Sequence, residues 1–260
     1  MNLMGTTALV TGASSGIGEA CARALAAAGA RLIVTARRID RLERLAAELR
    51  TLRAQQVLPI QLDVRDRHAV TQCFQTLPDD FRQIDILVNN AGLSRGLDKV
   101  HTGAIDDWEE MIDTNVKGLL YVTRAVVPGM VARGRGHIVN IGSIAGRQTY
   151  PNGNVYCASK AAVRAISEGL KLDLTGTGVR VTEVQPGLVN TEFSAVRFHG
   201  DQARADKTYE GMTPLSAADV ADIVLFAVTR PAHVNISEIL VVPTDQSSTT
   251  LVHRRSPASA

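Results

Sequence analysis

A tyrosine and a lysine four residues apart, Tyr156 and Lys160, have types and spacing that could do chemistry. On a helix this spacing places both side chains on one face. A lysine ammonium beside a tyrosine hydroxyl favours the phenolate and lowers a pKa that is normally about 10. The pair is therefore a candidate general acid/base. The same spacing is common in surface pairs without chemistry, so its meaning depends on what accompanies it.

Two further polar residues accompany this pair. Ser143 follows the predicted strand His137–Ile141, at the carboxyl end where ligands bind in open α/β sheets. Asn115 lies inside a long, apolar-faced helical segment, where an asparagine costs helix propensity. A polar residue in such a place is often satisfied by local hydrogen bonds, so Asn115 alone stays ambiguous.

A glycine-rich turn opens the first helical segment. The stretch from Thr11 to Gly18 reads TGASSGIG and lies between a predicted strand and a predicted helix. Glycine lets the backbone approach a phosphate closely, and a helix N-terminus offers free N–H groups. The spacing is G-x-x-x-G-x-G, not the usual dinucleotide G-x-G-x-x-G, so a tight turn alone is the alternative. Its place between strand and helix favours a nucleotide-binding turn, with candidate contacts at Gly12, Ser14, Ser15, Gly16, Ile17 and Gly18.

The end of the second predicted strand indicates which dinucleotide this turn would bind. An NAD site normally has an acidic residue here that bonds the adenosine 2′-hydroxyl, whereas residues 34–38 read VTARR. Arg37 and Arg38 can hold a 2′-phosphate through charge-assisted hydrogen bonds, which predicts NADP. The alternative is that both arginines solvate the start of the next helix. Position favours a cofactor contact more strongly for Arg37 than for Arg38.

Two more segments fall where a dinucleotide would cross the strand ends. Asp63 and Val64 close the third predicted strand, where Asp63 could hold the adenine amino group or equally cap a helix. Asn90, Ala91 and Gly92 close the fourth strand, where small residues would let the backbone meet the adenosine ribose.

Short aliphatic strands alternate with longer helical segments along the chain. Several strands are continuous apolar runs, which is typical of a parallel sheet covered on both faces. We therefore expect a doubly wound α/β fold in one domain, residues 1–260, because no repeat or linker divides the chain. The predicted strands are Thr7–Thr11, Arg31–Thr35, Val57–Leu62, Ile84–Val88, His137–Ile141, Arg180–Val184 and Glu238–Val242. The predicted helices are Gly18–Ala28, Arg38–Arg53, Arg65–Leu77, Ile105–Ala132, Asn154–Thr175 and Ala217–Val228.

Two regions interrupt this alternation, a loop over about residues 187–215 and a tail over about residues 244–260. Loops of this length in a compact domain are usually functional or mobile. We expect the first to form a substrate loop.

Composition excludes several classes of protein. Lys plus Arg total 28 and Asp plus Glu total 26, so the charge of +2 gives no reason to expect nucleic acid or a membrane surface as partner. No apolar run approaches the ~20 residues of a membrane-spanning helix, and the N-terminus lacks the basic region of a signal peptide. The three cysteines and six histidines are scattered, which predicts neither disulfides nor a metal site. These features predict a soluble cytoplasmic protein.

Taken together, the motifs resemble those of the short-chain dehydrogenases/reductases. TGASSGIG, NNAG, the asparagine of DTN, Ser143, YCASK and Pro186-Gly187 occur in the order and spacing of that family over essentially the whole chain. The resemblance implies a Rossmann-type sheet of seven parallel strands. It also implies a catalytic tetrad of Asn115, Ser143, Tyr156 and Lys160.

The resemblance assigns each member of the tetrad a role. In that family the tyrosine exchanges the substrate proton and the serine orients the substrate oxygen. The lysine lowers the tyrosine pKa and holds the nicotinamide ribose, while the asparagine anchors a water that relays protons. The resemblance also implies that the nicotinamide carboxamide is held after the Pro186-Gly187 turn, by backbone near Leu188 and Val189 and by Thr191. Family members usually form homotetramers through the two long helices predicted here.

A narrower resemblance concerns the substrate. Residues 107–115, 153–156, 191–198 and 230–236 look like the bacterial NADP-dependent 3-hydroxy acid dehydrogenases, a branch that includes serine and L-allo-threonine dehydrogenases and malonic semialdehyde reductase. Ser15 and Ile17 depart slightly from that branch. The resemblance implies an oxidoreductase for a small 3-hydroxy acid and its 3-oxo partner. The alternatives are a reductase of another carbonyl, such as a sulfonated aldehyde, 3-oxoacyl thioester or sugar, and a non-catalytic NADP-binding regulator.

A 3-hydroxy acid carries a carboxylate that needs a cation or several N–H donors in a partly desolvated pocket. Arg197, on the predicted substrate loop, is the candidate anchor, with Arg147 and Tyr150 as alternates. The alternative for Arg197 is a loop arginine that faces solvent. The tail residues 251–255 could reach a neighbouring subunit's site, which composition does not decide.

Overall fold

Seven parallel strands form one sheet in the computed structural model, which describes residues 2–52, 54 and 56–255. The strands are β1 Thr7–Thr11, β2 Arg31–Ala36, β3 Val57–Gln61, β4 Ile86–Asn89, β5 Gly136–Ile141, β6 Val179–Pro186 and β7 Glu238–Val241. Their order across the sheet is β3-β2-β1-β4-β5-β6-β7. The order reverses between β1 and β4, and ligands bind at such a switch point outside the carboxyl ends of the strands. The predicted α/β fold is confirmed.

Helices cover both faces of the sheet. They are α1 Gly16–Ala27, α2 Ile39–Thr51, α3 Arg67–Gln75, α4 Ile105–Ile112, α5 Leu119–Ala132, α6 Asn154–Asp173, α7 Phe193–Arg197, α8 Gln202–Lys207 and α9 Ala217–Val228. Successive strand residues enter opposite cores, since Val10 packs in the cluster that contains α1 and α9 while Leu9 packs in the cluster that contains α5. Burial on both faces explains why the strands are continuous apolar runs. Among the described residues, no helix is long and apolar enough to cross a membrane.

The helix predicted over Ile105–Ala132 is interrupted. Its α-helical geometry stops at Ile112, a π-helical turn covers Asp113–Gly118, and α5 resumes at Leu119. A Cβ atom on Gly118 would lie 2.6 Å from Val64 Cγ2, so a glycine allows this turn to pack closely against Val64. Turns of this kind occur frequently at functional sites, and this one contains Asn115.

The loop and the tail are more ordered than their sequence predicts. The loop contains α7 and α8, and it is pinned by a parallel bridge between Val189 and Leu215. The tail turns back through an antiparallel bridge between Gln246 and Val252. Of the predicted tail, residues 256–260 lie outside the described part of the chain, as does the predicted end of the second helix at Arg53.

A buried histidine lies in the middle of the sheet. His137 on β5 is 2% exposed, and its Nε2 lies 2.8 Å from Thr182 Oγ1 on β6. The Thr182 hydroxyl donates to the Ile236 carbonyl, so the imidazole Nε2–H must be the donor in the bond to Thr182. Burial, with a smaller effect of Arg180, lowers the pKa of His137 from 6.5 to about 3. This histidine is therefore neutral in the folded protein at ordinary pH.

The His137 imidazole should make folding pH-dependent. Between pH 6.5 and about 3 the histidine of the unfolded chain binds a proton that the histidine of the folded chain does not bind. The contribution of His137 to the free energy of unfolding is therefore fully present above pH 6.5 and is lost as the pH falls. We expect His137→Gln, which keeps an N–H donor, to lose less stability between about pH 7 and about pH 4.5. In urea unfolding, the slopes of the free energy of unfolding against pH should differ between wild type and variant by up to about 1.4 kcal/mol per pH unit. The matched control His68→Gln, at an exposed histidine, should follow the wild type, and parallel curves for all three proteins would contradict the assignment.

Candidate active site

A cavity of about 500 Å³ opens at the carboxyl ends of the central strands. Gly12 follows β1, Asn90 follows β4, Gly142 follows β5 and Gly187 follows β6, and all four residues line it. The other walls come from the segments that follow β4 and β5, from α6, from the loop that contains α7, and from the tail. The cavity therefore lies where the strand order predicts a ligand.

Lys160 on α6 is buried in the floor of this cavity. It is 6% exposed, and its Nζ donates to the Ile141 carbonyl at the end of β5 at 2.9 Å. Burial lowers the pKa of Lys160 to about 8, against an opposing attraction from the carboxyl of Glu183. At pH 7 most of this lysine is still an ammonium.

Tyr156 lies one helical turn before Lys160 and is also buried, at 7% exposure. Its ring meets Phe193 of α7 edge to face at 5.6 Å, and the Arg197 guanidinium lies 5.4 Å from the ring centre. Burial raises the pKa of Tyr156, while Arg197 and a hydrogen bond with Ser143 act in the opposite direction. The net shift is opposite to the one expected from the Tyr-Lys spacing, because desolvation of the phenolate outweighs the stabilising neighbours. The tyrosine is therefore a neutral phenol at pH 7.

Ser143 and Asn115 are held by local hydrogen bonds. The Ser143 Oγ accepts from Ala145 N at 3.1 Å and so caps a short 3₁₀ turn, while its side chain also bonds Tyr156. The Asn115 amide exchanges two 2.8 Å hydrogen bonds with the backbone of Leu93 and donates to Ser159 Oγ on α6 at 3.0 Å. Asn115 thus ties the π-helical turn to the end of β4 and to α6.

Two of the tetrad positions, Asn115 and Lys160, meet at the chain segment after β4, and the other two line the same cavity as Lys160. A Cβ atom on Gly92 would lie 3.2 Å from Asn115 Oδ1 and 3.6 Å from Lys160 Nζ. The four residues that the sequence selected, Asn115, Ser143, Tyr156 and Lys160, are therefore brought together, although Asn115 is 2% exposed and does not line the cavity.

The glycine turn is packed against the segment after β4. Gly12 has φ +65°, and a Cβ atom there would lie 2.9 Å from Ala91 Cα and from Asn90 Nδ2. A side chain at Gly18 would collide with the same Asn90 amide, which donates to the carbonyls of Thr11 and Gly12. Only glycine allows the backbone to pack this closely against Asn90 and Ala91. The close packing leaves the first N–H groups of α1 at the cavity wall. This cradle suits a phosphate group.

The two arginines after β2 point to different neighbours. Arg38 donates to the hydroxyls of Ser14 at 3.1 Å and Ser15 at 2.8 Å, whereas Arg37 lies 3.5 Å from Glu110. The sequence position favoured Arg37 as the cofactor contact. The structure instead places Arg38 against the glycine turn.

Asp63 and Val64, also selected from the sequence, do not line the cavity. The Asp63 carboxylate is held by Arg65, with Oδ2 2.6 Å from Nη2. The interpretation of Asp63 as a helix cap is wrong, because Asp66 caps α3 by accepting from His68 N and Ala69 N.

The candidate substrate residues are separated by the fold. Arg147 bonds Gln185 and Glu238 and does not line the cavity, so its guanidinium is already committed. Arg197 and Tyr150 do line it, and the buried Arg197 Nε and Tyr150 Oη have no hydrogen-bond partner among the described residues. Burial also raises the pKa of Tyr150, which keeps its hydroxyl protonated as a donor. Arg197 as a whole is half-buried, with its Nε atom fully covered.

Sequence reasoning missed the part of the site built by the tail. Gln246 Oε1 accepts from Leu188 N at 2.8 Å, and a side chain at Gly187 would collide with it. Beyond it the tail covers the cavity of its own chain, where it contributes Thr249, Thr250, Val252 and Arg254 to the lining. No spacing or composition marks these residues. Within the described ranges, no group of three or more His, Cys, Asp or Glu side chains could hold a metal ion.

Comparison with known proteins agrees with this geometry. The model of the short chain dehydrogenase family matches residues 6–202. The chain is 53% identical to an NADP-dependent 3-hydroxy acid dehydrogenase of Salmonella typhi, over 95% of this chain and 98% of the relative. A closed form of serine dehydrogenase complexed with NADP⁺ superposes with a TM-score of 0.91 at 50% identity, over 96% of this chain and 100% of that one. Serine dehydrogenase from Escherichia coli gives a TM-score of 0.81 at 45% identity, over 93% and 100%.

These matches extend over nearly the full length of the chain, and the structural superposition agrees with the seven-stranded fold. The protein belongs to the short-chain dehydrogenase family and is an oxidoreductase that acts on CH–OH groups.

Proposed function

We propose that this protein is an NADP-dependent dehydrogenase that interconverts a small 3-hydroxy acid and its 3-oxo partner. The observation that carries the proposal is the buried, unpartnered Arg197 Nε beside Tyr156, in a cavity that also contains the unpartnered Tyr150 hydroxyl. Two N–H or O–H donors without acceptors suit a substrate carboxylate, because each buried donor left unpaired costs about 1–3 kcal/mol. Relatives at about half identity carry the same activity in their names.

The residues around the glycine turn suit NADP(H). Gly12, Ser15, Gly16 and Ile17 would hold the pyrophosphate at the start of α1, with Ser14 and Gly18 shaping the turn, and Arg38 with Arg37 would hold the 2′-phosphate. Asn90, Ala91 and Gly92 would meet the adenosine ribose, and Tyr156 and Lys160 the nicotinamide ribose. Pro186, Gly187, Val189 and Thr191 would hold the carboxamide. When bound, the nicotinamide accepts or supplies a hydride at the substrate carbon that bears oxygen.

Tyr156 would move the proton. Its raised pKa keeps the phenol protonated at pH 7, the state needed to donate a proton to a substrate oxygen during reduction. The Ser143 hydroxyl, bonded to the tyrosine, would orient that oxygen. The buried Lys160 ammonium would stabilise the phenolate that remains, because an opposite charge nearby favours the ionised form.

Asn115 would act as a positioning residue. Its three hydrogen bonds to Leu93 and Ser159 fix the π-helical turn against the strand end and α6. The family role as anchor of a water relay stays a prediction from the resemblance.

We also propose that the chain forms a homotetramer and works in the cytoplasm. Exposed apolar side chains on α4, α5 and α6 support the assembly, and they are Ile105, Leu120, Val131 and Leu172. Burying such side chains between subunits would remove apolar surface from water. We expect light scattering to give a mass of about four times the 27.8 kDa of one chain.

A substrate panel tests the proposed function directly. We expect purified protein to reduce NADP⁺ with L-serine, L-allo-threonine, 3-hydroxypropionate or 3-hydroxyisobutyrate, read as NADPH absorbance, and to prefer NADP⁺ to NAD⁺. Neutral alcohols should react at least about tenfold less efficiently, since they lack the carboxylate. A sulfonated substrate tests the alternative that Arg197 binds another anion. Activity on none of the hydroxy acids would contradict the proposal and leave the family assignment intact.

Arg197→Ala tests the carboxylate anchor. We expect KM for the hydroxy acid to rise about 10- to 100-fold, as a charge-assisted hydrogen bond is lost, with a far smaller change for a neutral alcohol. Arg204→Ala is the matched control, because Arg204 lies on α8 of the same loop and stacks on Phe198 at 4.3 Å without lining the cavity. Equal losses on charged and neutral substrates would remove Arg197 from this role.

A further inference from the structure

A carboxylate of the substrate loop reaches across to the arginines of the glycine turn. Glu192 immediately precedes α7 and lines the cavity beside Ser15 and Gly16. Its Oε2 lies 3.0 Å from Arg38 Nη1 and its Oε1 lies 2.6 Å from Arg41 Nη1. One carboxylate thus bridges two guanidinium groups from the end of β2 and the start of α2.

These contacts engage Arg38 on two sides. Its Nε and Nη2 donate to the hydroxyls of Ser14 and Ser15, and its Nη1 donates to Glu192. Burial would raise the pKa of Glu192, but the hydrogen bonds from Arg41 and Arg38 produce a net lowering, so the carboxylate is charged at pH 7. The N–H groups that suit a 2′-phosphate are therefore already bonded to an anion of the protein itself.

We propose that Glu192 competes with the adenosine 2′-phosphate for Arg38 and Arg41, so that binding of NADP(H), unlike NAD(H), must release this carboxylate. The inference rests on the proposed function only for the identity of the cofactor. A phosphate and a carboxylate on the same guanidinium edges would repel each other, so one of them has to leave. Glu192 thereby weakens NADP(H) binding selectively and is a determinant of cofactor preference.

The competition would also link the cofactor phosphate to the substrate loop. Glu192 adjoins Thr191, whose side chain lies against Gly16. A Cβ atom on Gly16 would lie 3.3 Å from Thr191 Cβ. Five residues further along the chain α7 ends at Arg197, the proposed carboxylate anchor. Displacement of Glu192 from Arg38 and Arg41 removes one contact that holds residues 191–197 in place, and it removes no contact of the tetrad residues.

Calorimetric titration with NADP⁺ and with NAD⁺ tests the proposal on the whole protein. The side chains in both ion pairs are more than a third exposed, so Glu192→Gln should fold normally. We expect its dissociation constant for NADP⁺ to fall about three- to tenfold, while that for NAD⁺ stays within about twofold of the wild type. Asp40→Asn is the matched control. It removes the same charge near Arg41, but Asp40 pairs with Arg44, so neither constant should change by more than about twofold.

A double substitution of the two arginines separates competition from a purely structural effect. In an Arg38→Gln/Arg41→Gln background, Glu192→Gln should no longer tighten NADP⁺ binding, because the groups competed for are gone. Weaker NADP⁺ binding by Glu192→Gln, equal tightening of both dinucleotides, or an effect that persists without the arginines would overturn the inference. A wild type that binds NADP⁺ no more tightly than NAD⁺ would instead count against the proposed cofactor.

Discussion

The burial of a positive charge at the carboxyl end of β5 is the constraint on which the rest of the site depends. An ammonium removed from water costs several kcal/mol unless acceptors replace the solvent. Lys160 finds the Ile141 carbonyl at 2.9 Å, and the carboxyl of Glu183, fully buried on β6, attracts it from below. A side chain at Gly142 would collide with Glu183 Oε1, so the glycine before Ser143 is needed to admit that carboxyl.

The other candidate catalytic side chains lie near this lysine. One helical turn away, Tyr156 is closed in by Phe193 and Arg197 of the loop, and Ser143 reaches it from the end of β5. Burial lowers the pKa of Lys160 to about 8 and raises the pKa of Tyr156, so the two groups lie further apart in proton affinity than they do in water. At pH 7 Tyr156 therefore keeps its proton while most of Lys160 stays charged, and a protonated phenol is the state that a general acid needs.

Much of this arrangement was predictable because it is specified locally. The alternation of apolar strands and helices predicted the sheet, and the glycines at positions 12, 16 and 18 predicted the tight turn, since each rule involves neighbours in sequence. The π-helical turn at Asn115 was not predictable, because it depends on Gly118 packing against Val64 from a distant strand end. The choice of Asp66 over Asp63 as a helix cap likewise depended on where α3 begins.

Long-range contacts account for the remaining differences. Arg38 rather than Arg37 faces the glycine turn because Glu192, far along the chain, and two serine hydroxyls hold its guanidinium. Arg147 is removed from the site by Glu238 of β7, and the tail joins the cavity through Gln246. The direction of the Tyr156 pKa shift depends on burial by the loop, which the spacing of tyrosine and lysine does not encode.

Tyr156→Phe removes the buried hydroxyl that we propose transfers the substrate proton beside Lys160. We expect kcat for the best hydroxy acid to fall by about 100-fold or more, while the dissociation constant for NADPH stays within about threefold of the wild-type value. Tyr121→Phe, at a partly buried tyrosine of α5 that does not line the cavity, should leave both quantities unchanged. A Tyr156→Phe protein with a kcat within a few-fold of the wild type would contradict this role for Tyr156.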